Sequence, residues 1–114
     1  MTNKVIATPL FNSRFKKFIK KFPSLGQEIT QLEKVLLSDP HAGINLGANL
    51  YKIRLASESK GSGKSGGFRV ITFLVKESNK GYEIFLLTIY DKSEESTITK
   101  SILLKLVKKI FSEE

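Results

Sequence analysis

Phe68-Arg-Val-Ile-Thr-Phe-Leu-Val-Lys76, Glu77-Ser-Asn-Lys-Gly81 and Tyr82-Glu-Ile-Phe-Leu-Leu-Thr-Ile-Tyr90 are three consecutive pieces of the chain, and their reading decides the fold. The outer two are rich in β-branched and aromatic residues, and the piece between them is polar and ends in glycine. Together they read as the arms and turn of an antiparallel hairpin. The near-continuous apolar run at 84–87 predicts a strand covered on both faces and central in its sheet. Just upstream, Tyr51, Ile53 and Leu55 alternate with Lys52, Arg54 and Ala56. A period of two makes this a further strand and puts Lys52 and Arg54 on one of its faces. The stretch that joins it to the hairpin, residues 57–67, is rich in glycine and serine and carries Lys60 and Lys64. It reads as a mobile basic loop.

Outward from this region the pattern becomes helical. Lys4-Val-Ile-Ala-Thr8 is a short β-prone segment ending before Pro9, and Phe11, Phe15, Phe18, Ile19 and Phe22 then recur at helical spacing. Arg14, Lys16, Lys17, Lys20 and Lys21 fill the other positions, so this is an amphipathic basic helix. After Pro23, Ser24 and Gln27 have the spacing of a capping box for a second helix, with Leu25, Ile29, Leu32 and Leu36 as its apolar stripe. Asp39-Pro40 closes that helix, because proline disfavours helical geometry in the residue before it. Residues 41–48, which include Gly43 and Gly47, read as a loop. Near the end of the sequence, Thr99 caps a helix whose Ile102, Leu103, Leu106, Val107 and Ile110 face inward, with Lys100, Lys105, Lys108 and Lys109 outward. The expected order is strand, two helices, three strands, helix. That is a single α+β domain over 1–114, with helices packed on an antiparallel sheet.

A chain of 114 residues has room for one hydrophobic core. Its 40% hydrophobic and 26% charged residues match an ordinary folded domain rather than a disordered one. With no cysteine and His41 as the lone histidine, neither a disulfide nor a metal site is expected, and no small-molecule cofactor is implied. The first ten residues lack the apolar core of a signal peptide, and no apolar run approaches membrane-spanning length, so a cytoplasmic protein without a membrane partner is expected. Charge is the strongest compositional signal: 19 Lys and Arg against 11 Asp and Glu give a net +8. Such a field favours polyanions: nucleic acid, an anionic membrane or an acidic protein. The charge is also clustered, with six basic residues and no acid up to Phe22, and six more opposed only by Glu58 between Tyr51 and Lys76.

Gly63-Lys64-Ser65 invites a phosphate-loop reading, but Glu58 stands where that motif needs a glycine, and a strand follows where it needs a helix. His41 has no evident nucleophile beside it and reads as a surface or helix-end residue. Asp91, Glu94 and Glu95 share a polar turn with Ser93 and Ser96 and read as solvated. The basic cluster is more specific. Lys52, Arg54 and Arg69 lie in strands at the two ends of the glycine loop that carries Lys60 and Lys64, so five cations can converge. Arginine offers a rigid fork matched to phosphate oxygens, and lysine a compact charge. In RNA cleavage the 2′-hydroxyl can itself be the nucleophile. The protein then has to remove one proton, stabilise the phosphorane charge and protonate the leaving 5′-oxygen. Neither a metal nor a histidine is obligatory.

Tyr51-Lys-Ile-Arg54, the basic loop ending Gly66-Gly-Phe-Arg-Val-Ile71, and Ile84-Phe-Leu-Leu-Thr-Ile-Tyr90-Asp-Lys92 together resemble the RelE/HigB toxins of type II toxin–antitoxin pairs. The resemblance covers the second half of the chain best. It implies a RelE-like α+β fold of order βααβββα and a metal-independent endoribonuclease that enters the ribosome, cuts messenger RNA and leaves a 2′,3′-cyclic phosphate. A cognate antitoxin is the implied protein partner. By the same resemblance Lys52 and Arg54 belong to the cleavage site, Arg69 stabilises the transition-state phosphate, and Lys92 adds a further basic residue. Tyr90 and the loop lysines Lys60 and Lys64 resemble features of the HigB-like branch; Lys60 and Lys64, with Lys16 and Lys20 of the basic helix, are the candidate RNA contacts. RelE has a catalytic tyrosine where this chain has Ser96-Thr-Ile-Thr99, so either Tyr90 substitutes for it or catalysis depends more on the basic residues. Tyr90 can also be read as a strand-end aromatic packed on the last helix. Two other classes fit the same basic surface: a non-catalytic RNA- or ribosome-binding module, and an interaction domain for an acidic protein.

Overall fold

The hairpin forms where the sequence places it. In the computed structural model, which describes residues 2–61, 66–77, 79–94 and 98–112, the elements run β1 (Lys4–Ala7), α1 (Pro9–Lys21), α2 (Leu25–Ser38), β2 (Ile44–Gly47), β3 (Leu50–Leu55), β4 (Phe68–Lys76), β5 (Tyr82–Asp91) and α3 (Lys100–Phe111). The architecture is α+β. One sheet holds all five strands in the order β1-β5-β4-β3-β2. β4 takes the centre, and β5 lies beside it with a neighbour on each side. Ile84, Leu86 and Leu87 are fully buried, as the apolar run at 84–87 requires.

Two features depart from the expected order. Residues 41–48 are not simply a loop, because β2 lies within them and pairs antiparallel with β3. Ile44 and Leu46 give a short alternation that the flanking glycines mask. The β2–β3 connection turns through Ala48 and Asn49, whose φ angles of 55° and 65° match the two left-handed positions of the tightest hairpin turns. Gly43 has a φ of 99°, and a Cβ there would stand 2.6 Å from the Lys52 carbonyl oxygen, so only glycine lets the chain enter β2 at this point.

The sheet is also mixed rather than antiparallel, since β1 runs parallel to β5 from Lys4↔Glu83 to Ala7↔Leu86. The chain leaves β1 directly into α1 and returns to its neighbour β5 only after α2 and three more strands, ample length for a parallel crossover. Thr8 makes the junction. Its amide donates to the Leu86 carbonyl at 3.1 Å, and its hydroxyl lies 3.1 and 2.9 Å from the carbonyls of Leu86 and Leu87. The same oxygen caps α1 by accepting from the Phe11 amide at 3.1 Å.

The helices form two layers. Under α1 and α2, residues such as Phe11, Leu25, Ile29 and Leu36 pack on Phe68, Val70, Leu86 and Ile89 of the sheet. On the opposite face α3, capped by Thr99 as expected, buries Leu103 against Leu50, Ile71, Leu87 and Tyr90. The end of α3 lies over the β4–β5 hairpin, where the Phe111 ring meets Phe73 and Phe85 at centroid distances of 5.3 and 4.7 Å. The other end of that face carries the basic residues.

Candidate nucleic-acid interface

Strand periodicity and register build the site. Leu50, Ile71 and Tyr90 belong to the α3-side cluster, so Lys52 and Arg54 on β3 and Arg69 on β4 share that face. Arg54 is the register partner of Arg69, and Arg69 of Tyr90, which sets the three residues in one row across β3, β4 and β5. Lys52 stands two residues along β3, opposite Ile71. Arg54 is exposed and Lys52 half-buried. Arg69 forms the floor of the row: it is 4% exposed, and its guanidinium donates to the Phe68 carbonyl at 3.2 Å. Like charges directly opposite each other on neighbouring strands oppose folding. The same placement suits them to flank an anion, with the arginine forks matched to its oxygens.

Tyr90 is 1% exposed and packs within the α3-side cluster, so its ring has the strand-end packing role. Lys92 is half-buried just past β5, and its amide donates to the Gly67 carbonyl at 3.0 Å. Lys16 and Lys20 are exposed on α1, with Lys17 and Lys21 beside them. They lie across the sheet from Arg54 and Arg69, so these two expected RNA contacts and the expected cleavage residues stand on opposite faces. Lys64 lies outside the described residues.

Lys60 departs furthest from expectation. Its side chain is 8% exposed, and its ammonium stands 2.8 Å from both carboxylate oxygens of Asp91. The rings of Phe22 and Phe68 lie 5.0 and 5.3 Å away from it. The base of the glycine loop is pinned as well. Ser24 does not use its hydroxyl as a helix cap, since its backbone is already helical at φ −67° and ψ −15°. That hydroxyl instead accepts from the Ser59 amide at 2.9 Å and the Ser59 hydroxyl at 2.7 Å, while Glu28 accepts from the Glu58 amide at 2.8 Å.

Asp91 and Arg14 acquire roles that sequence reasoning missed. Asp91 is not part of a solvated turn, since it is 4% exposed. Burial pushes its pKa up, but hydrogen bonds from Lys60 and from the Ser93 hydroxyl and amide, with the Lys60 charge, outweigh burial and hold the carboxyl below its ordinary 3.8. Its position at the end of a strongly apolar strand was the available signal. Arg14 donates to the Ile89 carbonyl at 3.2 Å. It thus covers the edge of β5 beyond Leu86, where β1 pairing stops. Nothing in the phenylalanine spacing of α1 reveals this.

No known protein-family model matches the chain. Among the described residues, no helix is long and apolar enough to cross a membrane, and no group of three or more His, Asp or Glu side chains is placed to hold a metal ion. The α3-side row gathers Lys52, Arg54 and Arg69 on one face of the sheet.

Proposed function

We propose that the chain is a metal-independent endoribonuclease that cuts messenger RNA on the ribosome, the toxin of a RelE/HigB-type toxin–antitoxin pair. The observation that carries this reading is the registered pair Arg54–Arg69 with Lys52 beside it, on the face of the sheet where the last helix leaves one end to charged residues. The sequence resemblance in the second half of the chain supports it independently. In this mechanism a phosphodiester lies across the row, with Arg54 and Lys52 against its non-bridging oxygens. The 2′-hydroxyl, made more acidic by the neighbouring Lys52 and Arg54 cations, loses its proton to solvent, and O2′ bonds to phosphorus. Arg69 bears the extra negative charge of the phosphorane. The bond from phosphorus to O5′ then breaks, O5′ takes up a proton, and the products are a 2′,3′-cyclic phosphate and a 5′-hydroxyl. An antitoxin, itself acidic or amphipathic, is the proposed partner, and the cytoplasm the proposed location.

The test is induced expression of the wild-type chain and of Arg54→Ala, an exposed position where folding should survive, with mapping of messenger RNA 5′ ends on ribosomes. Cuts in translated messages from the wild type, strongly reduced in the variant, are expected. A second reading, a non-catalytic RNA-binding module, is favoured by the burial of Tyr90, which withdraws a candidate acid from the row. A folded, ribosome-bound wild type that produces no cuts would decide for that module.

A further inference from the structure

We infer that Lys60 and Asp91 are a positioning pair, which holds the strand ends bearing Arg69, Tyr90 and Lys92 in working geometry, and not contacts to the RNA; this rests on the proposed RNA-cleaving activity. Four parts of the chain meet at the Lys60 ammonium. Phe22 follows α1, Phe68 opens β4, Asp91 ends β5, and Ser93, with its hydroxyl 3.5 Å from the ammonium, lies in the turn beyond. The lysine is fixed at its backbone too, because the amides of Lys60 and Gly61 both donate to the Ser57 carbonyl at 3.1 Å. A lysine that binds phosphate keeps its charged head in water until the ligand arrives. This one has its head inside the protein, against a carboxylate and two rings.

Asp91 is well placed to transmit the constraint. It is the register partner of Phe68, next to Arg69, and Tyr90 and Lys92 are its chain neighbours. The Ser93 amide and hydroxyl reach its Oδ1 at 2.9 and 2.7 Å, which ties the turn after β5 to the same carboxylate. Loss of the ammonium leaves a buried carboxylate without its cation, and the strand end must shift to bring it to water. Small displacements of positioned groups cost large factors in rate.

The experiment compares Lys60→Met, Asp91→Asn and the double variant for RNA cleavage on ribosomes, for the salt dependence of RNA affinity, and for amide exchange at Lys92. For Lys60→Met the cleavage rate should fall about ten- to a hundredfold at saturating substrate. The slope of log affinity against log salt should not change, and exchange at the Lys92 amide should rise. The double variant should recover part of the lost rate, because it no longer buries an unpaired carboxylate. A salt slope reduced by about one in Lys60→Met would make Lys60 a phosphate contact and overturn the inference. Strictly additive losses, or unchanged exchange at Lys92, would overturn it as well. If Lys60→Met does not fold, Asp91→Glu, which keeps the charge but lengthens the side chain, takes its place with the same expectations. A wild type that cuts no RNA would remove the catalytic reading alone. The exchange measurement would then still decide whether Lys60 and Asp91 hold the strand ends.

Discussion

Under α1 and α2 the sheet meets a continuous apolar layer in which four residues of α2 and Phe11 of α1 are buried, whereas under α3 only Leu103 of the helix is buried. The first face leaves no space for charge except at its rim, where Lys60 and Asp91 neutralise each other. The second face accommodates Lys52, Arg54 and Arg69 beside a small cluster. The difference separates the two faces of one sheet: one buries most of the apolar side chains, and the other holds three cations, two of them directly opposite in register, an arrangement that opposes folding. Substitutions that weigh one face against the other can break or sharpen this contrast.

The largest expected effect is on the helix-covered face. Phe68 is fully buried there, packs edge-on against Phe18 and Phe22 with centroids 5.1 and 5.4 Å away, and forms part of the Lys60 cage. Phe68→Ala should cost about 4 kcal/mol, and Leu103→Ala on the other face about 2.5 kcal/mol, because a smaller cluster under a lightly held helix can collapse around the lost volume. Urea denaturation of both variants checks this. Equal losses, or the reverse order, would mean that α3 contributes as much to the fold as the two-helix layer.

How much of this contrast could be read in the sequence depends on the range of the interaction. Periodicities of 2 and 3.6 are local, so the β3–β5 strands, the helices and the shared face of Lys52 and Arg54 were legible. β2 was not, because Gly43 just before it and Gly47 at its end give a loop signal stronger than the Ile44–Leu46 alternation. The direction of β1 was not, because strand pairing with β5 spans nearly eighty positions in the register Lys4↔Glu83 and leaves no local mark. In the site, the row from Arg54 to Tyr90 follows from alternation once the register is known. The inward turn of Lys60 does not, since a lysine in a glycine-rich loop looks the same whether its partner is water or a buried aspartate distant in the chain. Ser24 likewise carries a good capping signature, which the nearby Ser59 overrides.

The rim of the helix-covered face should reveal itself through acid. The Asp91 pKa is lower in the folded protein than the ordinary 3.8 of an unfolded aspartate. Its contribution to stability is therefore complete above that value and is lost as the pH falls below 3.8 through the folded-state pKa. Unfolding free energies measured across this interval should fall more steeply for the wild type than for Asp91→Asn. Parallel curves would mean that the Lys60–Asp91 contact does not persist in solution, which would also weaken the positioning role.

A smaller effect is expected at the β2–β3 turn, at the sheet edge. Ala48 is exposed and has a φ of 55°, where an L-residue with a Cβ is held at a cost of about 1–2 kcal/mol. Glycine relieves that cost but gives back about 0.4–1 kcal/mol through the greater entropy of the unfolded chain. Ala48→Gly should thus be stabilising by about 0.5–1 kcal/mol on these terms, seen as a higher urea midpoint. Asn49→Gly, at a φ of 65°, should gain less, since asparagine enters the left-handed region more readily. If neither substitution stabilises, the turn is not strained, and β2 owes its place to pairing with β3 alone.

The smallest effect on stability is the one that bears most directly on the α3 face. Arg54 stands opposite Arg69 in the register, and their repulsion should cost about 0.5 kcal/mol. Arg54→Gln should therefore raise the melting temperature by about 2–4 °C, at about 4–8 °C per kcal/mol for a domain near this size. The same change removes an exposed cation from the proposed phosphate track, so RNA affinity should fall, and the slope of log affinity against log salt should decrease by about one. A protein made more stable and less able to bind RNA by one substitution is what a face shaped for an anion predicts. If Arg54→Gln instead destabilises the fold and leaves RNA affinity unchanged, the row is a structural feature of the sheet, and the basic ridge of α1 on the opposite layer becomes the surface to test for RNA.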